Sequence, residues 1–359
     1  MIKKKYLLII FSIFVGLFIT EILFQLIFAN KKKYTYAPAE VRFMLFDEPD
    51  GEVFDVYENF FKYKPNKQIL AETFFKIDNE FKKEYSYILE TNNFGLVQEK
   101  NISKNRKSIL LLGASFIEGQ GASSWVNNLT LDDNELQIIN GGILGTGPQQ
   151  MENLEKHISN NFNVEKLIFF YVGEILRRDP FTIENNTINC LKNYQDCKGN
   201  ENFYGFPLSK KDPKDFLLYL DNYRTDSFKK IDKFKHYRRL IKKKISELYI
   251  VNIPLNLIRN SFYKSKNVKI KKNFTSMKNL IQKYQDNIYF VQMLTRYQIG
   301  MGKSYETILT ENFLLEKNVN HYMCNFEYDL SNFYPNDGHP NQKGYESLKN
   351  CVQKILNRI

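Results

Sequence analysis

Four cysteines stand in 359 residues: Cys190, Cys197, Cys324 and Cys351. No two have Cys-x-x-Cys spacing, so a zinc site is not expected. The even count fits two disulfides in an oxidising compartment. Cys190 and Cys197 could close a short loop, and Cys324 and Cys351 could bridge the C-terminal segment. No internal repeat recurs, which excludes a stacked-repeat array. The glycine-rich run Gly141-Gly-Ile-Leu-Gly-Thr-Gly147 is not followed by Lys-Ser/Thr, so it is not a P-loop. A formal net charge of +11 comes without zinc-finger spacing and without an aromatic RNA-binding signature. Nucleic acid is therefore not the expected partner. Lysine-dense patches at 31–33, 209–214, 229–244 and 264–272 point instead to an anionic membrane surface or envelope polymer.

What is present is ordinary globular composition, 43% hydrophobic and 25% charged, with 15% aromatic residues to fill a core. One long apolar run stands out. It reaches from Tyr6 to Ala29 between Lys3-Lys-Lys5 and Lys31-Lys-Lys33. About 20 apolar residues suffice to cross a bilayer as a helix. The run is too long for a signal-peptide core and ends without a small-x-small cleavage site. It reads as an uncleaved signal-anchor over 1–33. Glu21 and Gln25 lie on one face near its end, either shallow in the interface or against a partner helix. The cysteine count places the body of this single-pass protein on the extracytoplasmic, periplasmic side.

Residues 34–100 read as a juxtamembrane lead-in of weak periodicity. From 101 to 359 the pattern is α/β. Apolar runs at 108–112, 136–140, 166–172, 288–294 and 321–326 predict strands, and 149–158, 277–284 and 343–356 predict helices. Their alternation implies a doubly wound parallel sheet. It lapses between about 180 and 275, which reads as an insertion. Within the insertion, Phe228–Leu248 interleaves Arg238, Arg239 and Lys242 with Phe234 and Tyr237. That pattern fits a solvated helix or one lying on anionic lipid.

An open parallel sheet keeps its site at the carboxyl ends of the strands. There the sequence places Ser115 after the first strand, the glycine-rich loop after the second, and Asn336-Asp-Gly-His339 before the last helix. Serine needs a base to lose its proton, and histidine is the base that titrates nearest neutrality. A carboxylate beside it fixes the tautomer, and backbone amides freed by glycine hold an oxyanion. The inventory is that of acyl transfer, with no metal or organic cofactor required.

These residues resemble the SGNH/GDSL hydrolase superfamily. Leu110-Leu-Leu-Gly-Ala-Ser-Phe116, with Gly119 and Gly121, is similar to its nucleophile block, although Ala114 stands where Asp is common. Asn140-Gly-Gly-Ile-Leu-Gly145 is similar to the block whose glycine donates an oxyanion-hole amide. Asp337-Gly-His339, followed by Pro340, Asn341 and Gly344, is similar to the acid–base block. Thr91-Asn-Asn-Phe-Gly95 is similar to a segment of membrane-anchored bacterial members that act on envelope polymers. The resemblance implies a three-layer α/β/α, flavodoxin-like fold. It assigns Ser115 as nucleophile, His339 as base, Asp337 as orienting acid, and the Ser115 and Gly145 amides as oxyanion donors.

Two positions depart from the family pattern. The third block, Phe170 to Arg177, lacks its oxyanion-hole Asn, and Glu174 stands about there. Losing one such donor costs ~10²–10³ in rate, and an ionised carboxylate would repel the oxyanion. Arg177, Arg178 or Gln149 could take over the role. The acid stands two residues before the base rather than three, leaving Asn336 as a loop-capping residue. The implied function is ester hydrolysis on acylated, acetylated envelope carbohydrate or a small ester, in company with envelope-polymer assembly proteins. An O-acyltransferase, a degenerate glycan-binding protein and a lipid-surface enzyme such as a lysophospholipase are the alternatives.

Overall fold

The computed structural model describes residues 2–27, 41–48, 53–77, 80–122, 124–178, 205–208, 217, 248, 250, 268–301, 303–324 and 329–359. The Cys190/Cys197 loop and, apart from Leu248, the basic segment 228–248 lie outside these residues. The chain divides into two compact units, Met1–Thr35 with Tyr219–Lys266, and Tyr36–Leu218 with Asn267–Ile359.

In the first unit, α1 runs over Ile2–Ile27. Its side chains are described at Tyr6, Ile9 and from Phe11 onward. Among the described residues no helix is long and apolar enough to cross a membrane. Glu21 is buried: it accepts from Gln25 Nε2 at 3.1 Å and from the Ile250 amide at 3.0 Å. The carboxylate that interrupts the apolar run thus finds its partners within the chain.

The second unit holds two principal sheets. Five strands, β6 (Lys107–Gly113), β7 (Leu136–Gly142), β8 (Asn163–Tyr171), β10 (Ile288–Met293) and β11 (Asn320–Cys324), pair in parallel in the order β11-β10-β8-β6-β7. All five match apolar runs in the sequence because a parallel sheet covered on both faces needs apolar side chains on each. Along β6, Leu110 and Leu112 enter one core while Ile109 and Leu111 enter the other. Helices α3 (Pro148–Ser159) and α4 (Val268–Tyr284) cover the first face through Met151, Leu154, Met277 and Leu280. Helix α7 (Gln342–Leu356) covers the second through Tyr345, Leu348 and Val352. The result is a three-layer α/β/α arrangement. Two further helices, α5 (Arg296–Met301) and α6 (Tyr305–Glu316), were not anticipated; α6 has no clear amphipathic period to reveal it.

The lead-in also carries regular structure. Strands β1 (Val41–Asp47), β4 (Gln68–Ile77), β5 (Glu80–Glu90) and β9 (Gly205–Leu208) form a second sheet in the order β5-β4-β1-β9, beside a hairpin of β2 (Phe54–Val56) and β3 (Phe61–Tyr63). Its inward residues Ile69, Ala71, Tyr85, Tyr87 and Leu89 share one core with Leu110, Leu112 and Ile139 of the parallel sheet. Outward on the opposite face stand Leu70 and Ile88, paired across β4 and β5 and exposed. Apolar residues on both faces blur the alternation by which a half-buried strand is recognised. One disulfide joins Cys324, at the end of β11, to Cys351 in α7, with Cα atoms 5.7 Å apart. It closes the segment that carries 336–341.

Candidate active site

The strand order places β6 at the switch point, with β7 on one side of it and β8 on the other. Crossovers leave this point in opposite directions and open a crevice at the strand ends. Ser115 sits in that crevice at the start of a one-turn helix, α2 (Ser115–Glu118), directly after β6. The turn packs tightly on the end of β7: a Cβ at Gly142 would lie 2.3 Å from the Glu118 backbone nitrogen. Glycine is required there by close approach.

The structure brings three of the sequence-predicted residues together. Ser115 Oγ lies 2.8 Å from His339 Nε2, and His339 Nδ1 lies 2.8 Å from Asp337 Oδ2. These atoms come from chain segments 224 residues apart. The Asp337 side chain is almost fully buried, whereas the His339 ring keeps a 14% exposed edge toward solvent. The imidazole packs edge-on against Phe116, with ring centroids 5.3 Å apart. With the Asp337 carboxylate on Nδ1, the tautomer that leaves Nε2 free to accept from Ser115 is the favoured one. Asp337, two residues before His339, is the carboxylate on Nδ1; the Asn336 amide is held by Glu84 Oε1 at 2.8 Å.

A small cavity of about 90 Å³ opens at Ser115 and His339. Its walls include Phe116, Phe170, Val172, Ile175 and Met293, with Arg178 and Thr295 as polar members. A larger cavity of about 250 Å³ lies at the opposite ends of β6 and β7, by Arg106 and Leu136, and holds none of these groups. The third-block segment after β8 forms a 3-10 turn over Gly173–Arg177. It borders the cavity through Val172, Ile175 and Arg178. The side chains of Glu174 and Arg177 lie outside the described residues. Arg178 donates from Nη1 to the Thr146 carbonyl at 2.6 Å, tying this turn to the glycine-rich loop.

Gly145 is not among the residues lining the cavity. It is exposed, with φ +72 and open space where a Cβ would stand. Its neighbour is anchored from below: the Leu144 amide donates to Glu118 Oε2 at 2.5 Å. Glu118 is fully buried, and burial, opposed by that amide, pushes its carboxyl up to about 8. The Tyr63 and Tyr87 hydroxyls lie against the same carboxyl, although Oε1 reaches no full hydrogen-bond geometry with either. Gln149, the other candidate donor, keeps a buried Oε1 without a partner.

Four residues of this site escape sequence reading. Glu118 and Gln120 follow Ser115 so closely that a charged or polar residue amid apolar neighbours was a usable signal. Tyr85 and Glu84 had no such signal, standing 252 residues from their partners in the 336–337 loop. Among the described residues no group of three or more His, Cys, Asp or Glu stands where it could hold a metal ion.

No protein-family model matches the chain, and no curated protein matches it. Solved structures similar to it include a lipolytic protein of the G-D-S-L family from Veillonella parvula, at 10% identity and TM-score 0.34, covering 70% of this chain and 100% of that one. A lipase/acylhydrolase from Enterococcus faecalis matches at 10% identity and TM-score 0.34, covering 70% and 96%. A putative acylhydrolase from Bacteroides fragilis matches at 12% identity and TM-score 0.31, covering 71% and 89%. At these scores the likeness carries no inference about activity, and the case for the chemistry rests on the residues themselves.

Proposed function

We propose that this chain is a serine esterase of the SGNH/GDSL kind, acting on short acyl esters, acetyl above all, of cell-envelope carbohydrate. The observation that carries the reading is the Ser115 Oγ–His339 Nε2–Asp337 alignment at two distances of 2.8 Å. In the first step Ser115 Oγ attacks the acyl carbon while His339 Nε2 takes its proton. The tetrahedral oxyanion is met by the Ser115 amide at the start of α2. His339 then gives the proton to the leaving sugar oxygen. Water, activated by the same imidazole, releases the acyl group from Ser115. Asp337 keeps the imidazole oriented and stabilises the imidazolium in both halves.

The size of the cavity supports a short acyl group. At about 90 Å³ it lies far below the ~300–1,000 Å³ of sites that enclose a drug-sized ligand. A long lipid chain has no room there, whereas the alcohol side of the ester can extend into solvent. Tethering through residues 1–33 is supported by the run Tyr6–Ala29 between its lysine triplets and by the exposed Phe11, Phe14, Phe18 and Leu26 of α1. The Cys324–Cys351 bond supports an oxidising, extracytoplasmic location for the body.

The test is hydrolysis of p-nitrophenyl acetate by the full chain in detergent, beside Ser115→Ala and His339→Ala. Both variants are expected to lose at least about 10³-fold in kcat. Equal, silent behaviour of all three proteins would overturn the esterase reading and favour a glycan-binding role. The same alignment serves an O-acyltransferase equally well, since only the acceptor differs. Addition of an acetylatable oligosaccharide distinguishes the two: a transferase diverts acetyl from water to sugar.

A further inference from the structure

We propose that Tyr85, on β5 of the antiparallel sheet, is a positioning residue for the Asp337–His339 pair, acting with Gln120 on the carboxylate oxygen that orients the imidazole. This inference rests on the reading of Ser115, His339 and Asp337 given above.

The geometry centres on one atom. Asp337 Oδ2 receives the Tyr85 hydroxyl, lies 2.8 Å from His339 Nδ1, and accepts from Gln120 Nε2 at 3.3 Å. Gln120 Nε2 also donates to the Tyr85 hydroxyl oxygen at 2.8 Å, which holds the phenol in place. The phenol ring is buried and packs on Tyr334 with centroids 4.3 Å apart. Glu84, next to Tyr85 on β5, accepts from the Asn336 amide. Two consecutive residues of the antiparallel sheet thus grip two consecutive residues of the loop. Tyr85 is not among the residues lining the cavity.

Three donors on one carboxylate oxygen share its negative charge. The phenol's share is charge that the imidazole does not receive. Removing the hydroxyl concentrates the charge on the His339 bond and favours the imidazolium. The base is then lost at a higher pH, and the carboxylate is free to turn. Other groups face the pair: Glu84 beside Tyr85, Tyr334 in the same loop, Tyr345 on α7, Arg296 on the Pro335 carbonyl and Arg178 across the cavity. Burial and the Asp337 charge raise the Glu84 carboxyl above its ordinary value, so Glu84→Gln serves as the control for a limb that belongs to Glu84.

The experiment compares the full chain with Tyr85→Phe, Gln120→Met and Glu84→Gln. It reads kcat and KM against pH on p-nitrophenyl acetate, and the titration of His339 by NMR of isotope-labelled histidine. Only four histidines are present, and His339→Ala assigns the signal. In Tyr85→Phe the acidic limb and the His339 titration are expected to move up by about half a unit to one unit. Its kcat should fall about 10- to 100-fold with KM within about twofold. Gln120→Met should move both in the same direction by less, and it decides the matter if Tyr85→Phe does not fold. Glu84→Gln should not reproduce the shift. An unmoved His339 titration, or a rate loss equal at every pH, overturns the proposal. A moved titration in a protein that hydrolyses nothing leaves the positioning role standing and removes the esterase reading instead.

Discussion

The central strands of the parallel sheet β11-β10-β8-β6-β7 are covered on both faces, and β6 is an almost unbroken apolar run, whereas the edge strand β11 is half-exposed. In the antiparallel sheet β5-β4-β1-β9, strands β4 and β5 hide one face and leave the other to solvent, so that Leu70 and Ile88 stand exposed while Tyr85 and Tyr87 are buried. The difference extends to function. The parallel sheet presents Ser115, the glycine-rich loop and the 336–339 loop at its carboxyl edge. Among the described residues, none of the antiparallel sheet or its hairpin neighbour lines the cavity. Instead they hold what the parallel sheet presents. Tyr85 and Glu84 grip the 336–337 loop, and Tyr63 and Tyr87 lie against the Glu118 that anchors Leu144. The sheet that carries Ser115 and the 336–339 loop is thus distinct from the layer whose side chains hold that loop.

That division can be broken at several points. Phe169 lies at 0% exposure in β8, its ring 5.2 Å from that of Phe290. Phe169→Ala should cost about 3–5 kcal/mol in chemical denaturation, from lost transfer energy and the cavity left behind. Replacing Cys324 and Cys351 together by Ser opens a loop of sequence separation 27. The chain-entropy argument gives about 3.5 kcal/mol for this, read in the same assay without reductant. By contrast, Leu70→Ala on the exposed face should stay within about 0.5 kcal/mol. A large effect there would mean that this face is covered by something else.

Glu118 gives a finer test. Its carboxyl is held at about 8 in the folded chain against an ordinary 4.5, chiefly by burial. Between these values the unfolded chain has released a proton that the native chain still binds. Raising pH through the window from 4.5 to about 8 therefore lowers stability. Glu118→Gln should flatten that part of the stability-versus-pH curve. An unchanged slope in the variant would assign the dependence to other groups. Because Glu118 also holds the Leu144 amide, the exchange reports whether a neutral amide anchors this loop as well as the carboxyl does.

Much of the parallel sheet was legible because its signals are local. The five apolar runs correspond to five strands, and Lys343 to Leu356 falls within the last helix. The antiparallel sheet shows only weak periodicity in the sequence, because Leu70 and Ile88 face outward and spoil the two-residue alternation. Helix α6 is hidden in the sequence for a similar reason, since its apolar residues do not keep to one side. Ser115 and His339 stand out by motif order, whereas the choice of Asp337 over Asn336 rests on resemblance to the family. The neighbours that hold Asp337 do not stand out in this way.

The sequence by itself determined the order of the chemistry-bearing loops and the alternation of strand and helix. Both depend on residues within a few positions of one another. Tertiary structure decided which loops meet, that Asp337 rather than Asn336 reaches His339, and that Gly145 stands outside the cavity lining. It also decided that Tyr85 shares the Asp337 oxygen. Those outcomes depend on contacts across as many as 252 residues of chain. Such contacts are set by two sheets closing on one core, and no local pattern encodes them.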